Sequence, residues 1–485
     1  MPTPSSARVA LTSTDLWASL VLAVAWVAIV RPGGLDLPFF WDEADVYVPG
    51  SVWVAAHDLD VTPGVFPDDY SRGHPPLLYL LAGLAFRAFG ATPTVGHLLV
   101  LPFTVVALAG TYLLGAGLFD RRAGAAAALL LGVTPLFMSM GNMLLPEMPL
   151  TALAVLSFLA LARGRVGVAA AAGVAAVWMK ETGIFAAAGV GAAVLLDAWW
   201  RGSLREARGR IALSTLPLLA LVAFFVWQKI FAGYFVFPHH ANLLADRPFE
   251  AGNLLTVFPS LLGWHGRWLV VVAAAIGAVL ARRRFLDAPD REGRWRPSRR
   301  AVLTGMLVVG LGNAAFFAKM FWLERYALPV HPLLLVAACG ALFALAAGPR
   351  WRQALPWLPV GAAALLGAAS MRAATTPDEE EHTFAYADVL STHRAAFAEL
   401  PPDARVVTTW PMTIELEHPY VGFVDRPIDA TELQYAAPDA PFTHAIVSTA
   451  SSRADAVRDA ARRRGLLRRS RHRIGVAPTL EVWGP

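Results

Sequence analysis

The stretch Phe39-Phe40-Trp41-Asp42-Glu43-Ala44-Asp45-Val46-Tyr47 stands at the mouth of the first hydrophobic segment of a 485-residue chain. Further on, His74-Pro75-Pro76-Leu77-Leu78-Tyr79-Leu80 opens a second apolar segment that runs to Phe89-Gly90. An acidic pair beside hydrocarbon, followed by a double proline, is hard to explain by packing. Ionisable side chains next to the membrane interior are expensive and are kept where they act. The region from Phe39 to Gly90 is therefore where chemistry is expected.

Composition makes lipid the solvent. The chain is 56% hydrophobic and only 16% charged, against about 25% charged in a soluble domain, and its mean hydropathy is +0.50. Glycine and proline (39 and 35 residues) do not signal disorder here, since both are common in membrane helices. The one cysteine, Cys339, lies in an apolar run; it excludes an internal disulfide and a Cys-based metal site. The formal net charge of +5 is no nucleic-acid footprint, because the basic residues are distributed by topology. Residues 16–30 are followed by Arg31-Pro32-Gly33-Gly34 rather than by a small-residue cleavage site, which predicts an uncleaved first membrane helix.

Apolar segments lie near 16–30, 95–118, 123–140, 147–162, 166–179, 182–198, 211–230, 268–281, 301–318, 327–347 and 355–371. Several fall short of the ~20 residues of a straight span, as broken helices around polar cavities allow. Cytoplasmic loops carry the excess of Lys and Arg. Arg121/Arg122, Arg163/Arg165, Arg201/Arg205/Arg208/Arg210, the Arg282–Arg300 cluster and Arg350/Arg352 all fall inside only if 75–92 does not cross. That segment is then a juxtamembrane or re-entrant helix. The expectation is about 11 spans, N-terminus inside and C-terminus outside, with an outer loop at 31–94. On this map Asp42, Glu43, His74, Glu147, Lys180, Glu181, His239, His240, Lys319, Glu324 and Arg325 share the outer face.

The chain divides into a membrane part, 1–371, and a segment, 372–485, in which charge rises and short β-branched runs appear at 406–409, 444–448 and 480–483 around a helical stretch, Ala454–Arg464. This predicts a small α/β domain on the outer face. Its arginines between Arg462 and Arg473 either touch anionic lipid headgroups or solvate a helix end.

Each candidate has a bland and a chemical reading. Asp42-Glu43 caps the next helix through its dipole or supplies a general base. Glu147, between Pro146 and Pro149, is a helix cap or a second site carboxylate. Lys180-Glu181 is a local ion pair at a helix break, or Lys180 is a point cation for phosphate. Arg325 suits bidentate phosphate contacts, while Trp322, Arg325 and Tyr326 equally suit interface anchoring. His239, His240 and His265 are weak metal candidates, because adjacent histidines need ligands from elsewhere. No nucleotide fingerprint, Walker A loop or HExxH is present. No cofactor is implied with certainty, though a divalent cation is compatible with the site.

Taken together, Asp42-Glu43-Ala44 with Tyr47, His74-Pro75-Pro76-Leu77-Leu78-Tyr79, Leu145-Pro146-Glu147-Met148-Pro149-Leu150, Lys180-Glu181 and Arg325-Tyr326-Ala327-Leu328-Pro329 resemble the GT-C membrane glycosyltransferases. The likeness is to the protein O-mannosyltransferases and the lipid A aminoarabinose transferases, and it covers roughly 15–345. It implies a GT-C fold, a polyprenyl-phosphate sugar donor, transfer on the outer face of the cytoplasmic membrane, and Asp42 as leading base candidate. It makes Glu43 and Glu147 further catalytic candidates, and Tyr47, His74, Lys180, Glu181, Arg325 and Tyr326 substrate-binding ones. Two departures stand out: His74 where the aminoarabinose transferases have Lys, and Glu147 where the family usually has Asp.

The residues fit that chemistry independently. A lipid phosphate is a good leaving group, so the acceptor hydroxyl needs a carboxylate base and the departing phosphate needs cations. Direct attack inverts the anomeric carbon. The acceptor, whether glycan, lipid or protein, is not legible. Two other classes fit the composition: a polytopic transporter or flippase, which would place its ionisable residues at mid-membrane, and a non-catalytic assembly subunit.

Overall fold

The computed structural model describes residues 11–31, 33–246, 249, 251–262, 266–286, 295–320, 322–345, 350–371, 381–434 and 441–485. Each expected apolar segment is helical within them. Ser13–Val30 opens with a capping box, in which the Thr12 hydroxyl accepts from the Asp15 amide while Asp15 accepts from the Thr12 amide. Pro93–Leu118 and Arg299–Lys319 start on Thr92 and Ser298 caps. Among the described residues five helices are long and apolar enough to cross a membrane: Ser13–Val30, Pro93–Leu118, Glu181–Trp200, Leu204–Ala232 and Arg299–Lys319. Shorter apolar helices include Glu147–Ala162, Val166–Met179, Arg267–Leu280 and His331–Ala344.

Three segments differ in detail from the hydropathy reading. The run 123–140 breaks into Arg121–Gly132 and Pro135–Met140, because Pro135 cannot continue the first helix. The run 327–347 begins as a 3-10 turn, Glu324–Ala327, before helix His331–Ala344. The basic stretch before 211 is itself helical, Leu204–Ser214, ahead of Leu216–Ala232.

Within 31–94 the chain forms a π-helical turn, Glu43–Tyr47, then helices Val48–Ala56, Asp68–Ser71 and Leu77–Phe89. Val48–Ala56 and Leu77–Phe89 meet closely at Gly83, where a Cβ would stand 2.8 Å from Val54. Leu77–Phe89 has 13 residues, about 20 Å of helix. That is short of the ~30 Å hydrocarbon core and agrees with a helix packed on its neighbour.

The C-terminal part holds a five-stranded sheet of order β2-β1-β3-β5-β4, with β1 at Arg405–Thr408, β2 at Asp429–Glu432, β3 at His444–Ser448, β4 at Leu467–His472 and β5 at Leu480–Gly484. β1 pairs parallel with β2 and β3, and β5 antiparallel with β3 and β4. Side chains alternate across the sheet. Val406, Ile446, Leu480 and Val482 join the core shared with the membrane helices, while Val407, Ala445, Val447 and Trp483 pack under helix Ala454–Arg463. The junction 372–380 lies outside the described residues.

Two strands lack a hydrophobic signature. β2 reads Asp-Ala-Thr-Glu. β4 reads Leu-Arg-Arg-Ser-Arg-His and is an edge strand, where charge prevents further pairing. The basic run therefore does more than end a helix: its Arg471, with Arg458 from helix Ala454–Arg463, holds buried Glu481 at 3.0 and 2.9 Å.

Two helices that frame the site, Ile184–Trp200 and Arg299–Lys319, touch backbone to backbone. A Cβ at Gly305 would lie 2.4 Å from the Gly189 carbonyl oxygen. Small residues at membrane helix crossings permit such approach. Gly305→Leu is expected to lower stability by at least the ~1–3 kcal/mol of core overpacking, read as a lower thermal unfolding temperature. An unchanged temperature would show that the helices are not this close.

Candidate active site

Trp41 adopts a left-handed backbone, φ 50°, and the π turn begins directly after Asp42. This geometry sends two adjacent carboxylates in opposite directions. Glu43 turns inward, 1% exposed, and accepts from the Leu144 amide at 2.5 Å and the Phe40 amide at 3.1 Å. Nε2 of His97 stands 3.6 Å from it. Asp42 turns outward, its side chain 29% exposed, and accepts from Nη2 of Arg325.

Arg325 lies on the 3-10 turn Glu324–Ala327. Its Nη1 donates to Glu381 at 2.6 Å, and its Nε stands 3.9 Å from Glu147. Burial disfavours the guanidinium charge, but Glu381 and Asp42 outweigh it and hold the group charged. Lys180 follows helix Val166–Met179 in an extended conformation that ends the helix. Its Nζ donates to Glu147 at 2.6 Å and sits 4.6 Å from the centre of the Tyr326 ring, a cation–π distance. Tyr326 stacks on Phe317 at 4.6 Å.

His74 follows Arg72 and Gly73, both with positive φ, and Gln228 fixes that bend by donating to the Gly73 carbonyl at 2.9 Å. Nδ1 of His74 is 3.0 Å from Glu181, and its ring is 5.2 Å from that of His240 on helix Pro238–Asp246. Burial, with the charge of His74 next, pushes His240 down to about 4.

These groups enclose one cavity of about 240 Å³. Its polar part is lined by Asp42, Tyr47, Arg72, His74, Lys180, Glu181, Arg325 and Tyr326, and its apolar part by Phe225, Val236, Phe237, Leu244, Phe316, Phe317 and Met320. Seven of the nine non-metal residues expected from the sequence thus line it. Glu43 does not; its burial and its two backbone amides place it in the scaffold beside the site. Glu147 lies behind Lys180, 2% exposed, where it anchors that amine.

Three site-side residues escaped the sequence reading. Arg72 lines the cavity and is paired with Asp45 at 2.8 Å. Glu381 and His382 arrive from the C-terminal part. His382 stands between Glu324, 3.2 Å from Nδ1, and Glu381, 3.2 Å from Nε2.

Of the weak metal candidates, His239 and His240 lie on Pro238–Asp246 with ring centres 6.0 Å apart, and His265 lies outside the described residues. Among the described residues no three His, Cys, Asp or Glu side chains group as a metal site. Asp42 and Glu147 already face Arg325 and Lys180.

The opposite orientations of Asp42 and Glu43 give opposite expectations for stability. Glu43→Ala strands two buried amides, each worth ~1–3 kcal/mol when left unpaired. It should lower the unfolding temperature well below that of Asp42→Asn; equal melting of the two variants would remove Glu43 from the scaffold.

The profile of the dolichyl-phosphate-mannose-protein mannosyltransferase family matches residues 73–227, which include His74, Glu147, Lys180 and Glu181. Among curated protein sequences none matches. Among solved structures the chain is similar to ArnT from Cupriavidus metallidurans bound to undecaprenyl phosphate, at 15% identity, 97% coverage of this chain, 98% of that one, and a TM-score of 0.59. It is also similar to the Archaeoglobus fulgidus oligosaccharyltransferase in complex with Zn and sulfate, at 13% identity, 90% and 68% coverage, and a TM-score of 0.50. The structural matches give the chain the fold of ArnT, the GT-C fold expected from its motifs, and the family profile matches about a third of its length.

Proposed function

We propose that the chain is an inverting membrane glycosyltransferase that moves a sugar from a polyprenyl-phosphate donor to an acceptor hydroxyl. The observation that carries this reading is the cavity itself, in which one base candidate and three cations or donors meet at an end bordered by apolar side chains. A phosphate reaching Lys180, Arg325 and His74 leaves its prenyl chain against Phe225, Phe237, Phe316 and Met320. The bound undecaprenyl phosphate of the ArnT structure supports a lipid phosphate of this kind.

The acceptor oxygen attacks the anomeric carbon while Asp42 takes its proton. The bond from that carbon to the phosphate oxygen breaks, and the electron pair leaves on polyprenyl phosphate. Lys180 and Arg325 neutralise the charge that develops there, where oriented cations in a dry site act most strongly. Glu147 keeps Lys180 in place, and Glu181 orients His74. A transporter places such groups at mid-membrane; here they stand at helix ends and turns, around Met179, Lys319 and Ala232.

Arginine parity along the loops supports an outward-facing site in the cytoplasmic membrane, with the sheet domain outside. A reporter fused after residue 372 should then be active on the exterior side and one fused near Arg205 inactive there. The reverse pattern would overturn this orientation.

Purified protein offered polyprenyl-phosphate sugars should transfer, while nucleotide sugars should not serve. Asp42→Asn, nearly isosteric, should keep donor binding and lose ~10²-fold or more in turnover, the scale of a general base. Near-normal turnover in that variant would exclude Asp42 from proton transfer.

A further inference from the structure

We propose that Glu381 and His382 are positioning residues that hold the Arg325 guanidinium at the cavity and set how tightly it grips Asp42. The inference rests on the donor reading above. The groups form a ribbon of alternating charge. Arg267 stands 3.9 Å from Glu324; Glu324 and then Glu381 flank His382 at 3.2 Å each; and Glu381 receives Nη1 of Arg325 at 2.6 Å, while Nη2 goes to Asp42. Every member except Asp42 is buried. Of the ribbon only Arg325 and Asp42 line the cavity, so Glu381 and His382 act through Arg325 and not on substrate.

The backbone holds the pair in place. The Ser139 hydroxyl donates to the Glu381 carbonyl at 2.8 Å, and the Phe384 amide to the Met371 carbonyl at 2.7 Å. Arg325 has a planar fork of donors, and Glu381 and Asp42 take one arm each. Without Glu381 the fork shifts onto Asp42, which weakens Asp42 as a base and removes the guanidinium from a phosphate.

His382 makes the ribbon sensitive to alkali. Glu324 faces it from the 3-10 turn and Glu381 from its own segment, with Arg267 beyond Glu324 and Arg325 beyond Glu381. Burial disfavours the imidazolium, but hydrogen bonds to Glu324 and Glu381, with their charges, overcome it and push the group up to about 9. A raised pKa means that its stabilising effect is full below the ordinary histidine value, and is lost as pH rises through about 9. Deprotonation leaves two buried glutamates with no cation between them, and their repulsion loosens the carboxylate that positions Arg325.

The test uses full-length protein and undecaprenyl phosphate as probe, with affinity measured from pH 6 to 10, alongside thermal unfolding of each variant. The wild type should bind evenly to about pH 8 and weaken about tenfold by pH 10, the scale of one misplaced charge-assisted hydrogen bond. His382→Gln should be weak and flat across the range. Glu381→Gln should weaken binding about tenfold at pH 7, Glu381→Asp should recover part of it, and the loss should not add to that of Arg325→Gln, because both act on one contact. Should the Glu381 variants fail to fold, the wild-type profile against that of Arg325→Gln decides, since the alkaline limb must vanish without Arg325. A flat wild-type profile, or additive losses, overturns the positioning role alone. A wild type with no affinity for undecaprenyl phosphate sinks the donor reading, and this inference with it.

Discussion

The constraint on which the site depends is a guanidinium buried among carboxylates. Arg325 is 4% exposed, and a charge taken that far from water persists only with partners that replace its hydration. Asp42 and Glu381 do so directly, and Glu147 adds a third negative charge that Lys180 shares. Those partners come from the loop after the first helix, the C-terminal part and the start of helix Glu147–Ala162. Removing a fully buried partner such as Glu381 costs about 3–5 kcal/mol, so the pairing that poises the cavity also locks separate pieces of chain against one another.

The same constraint explains why the sheet domain is not an appendage. Part of its core runs into that of the membrane helices without a break, and hydrogen bonds tie it to the loop that carries Asp42. The Phe39 amide donates to the Val421 carbonyl at 2.9 Å, and Arg394 donates to the Asp36 carbonyl at 2.8 Å. Trp41 packs edge-on against Trp410 at 5.0 Å. The strained turn at Trp41 is held from both sides, as a backbone in a sparsely populated conformation must be.

Much of this was legible in the sequence, for a physical reason. Polar groups next to hydrocarbon have few innocent explanations, so Asp42, His74, Lys180, Glu181, Arg325 and Tyr326 stood out before any geometry was known, and the cavity gathers all of them. The direction of a side chain was not legible. Asp42 and Glu43 are neighbours, and only the π turn separates a carboxylate facing the cavity from one that caps backbone amides. Glu381 and His382 were hidden by composition: within Pro377-Asp378-Glu379-Glu380-Glu381-His382 they look like one solvated charge run. β1, β3 and β5 announced themselves by β-branched residues, whereas β2 and β4 are held by pairing to them and needed no hydrophobic pattern of their own.

The two cations divide the work in a way their chemistry accounts for. Arginine is the ordinary basic residue of this chain, which has only three lysines, yet a lysine occupies the cavity at 180. Both arms of the Arg325 fork hold carboxylates, so on the proposed reading it frames the site and offers the phosphate its charge rather than a free arm. An ammonium is compact and has three donors. At Lys180 one donor goes to Glu147 at 2.6 Å, and the Tyr326 ring lies against the charge at 4.6 Å, a contact that favours the cation without consuming a hydrogen bond. Donors are left for an oxygen entering the cavity. On the proposed reading that oxygen belongs to the phosphate. The extended Lys180 between two helices, an oddity as a helix connection, is then the geometry that brings a spare donor to the leaving group.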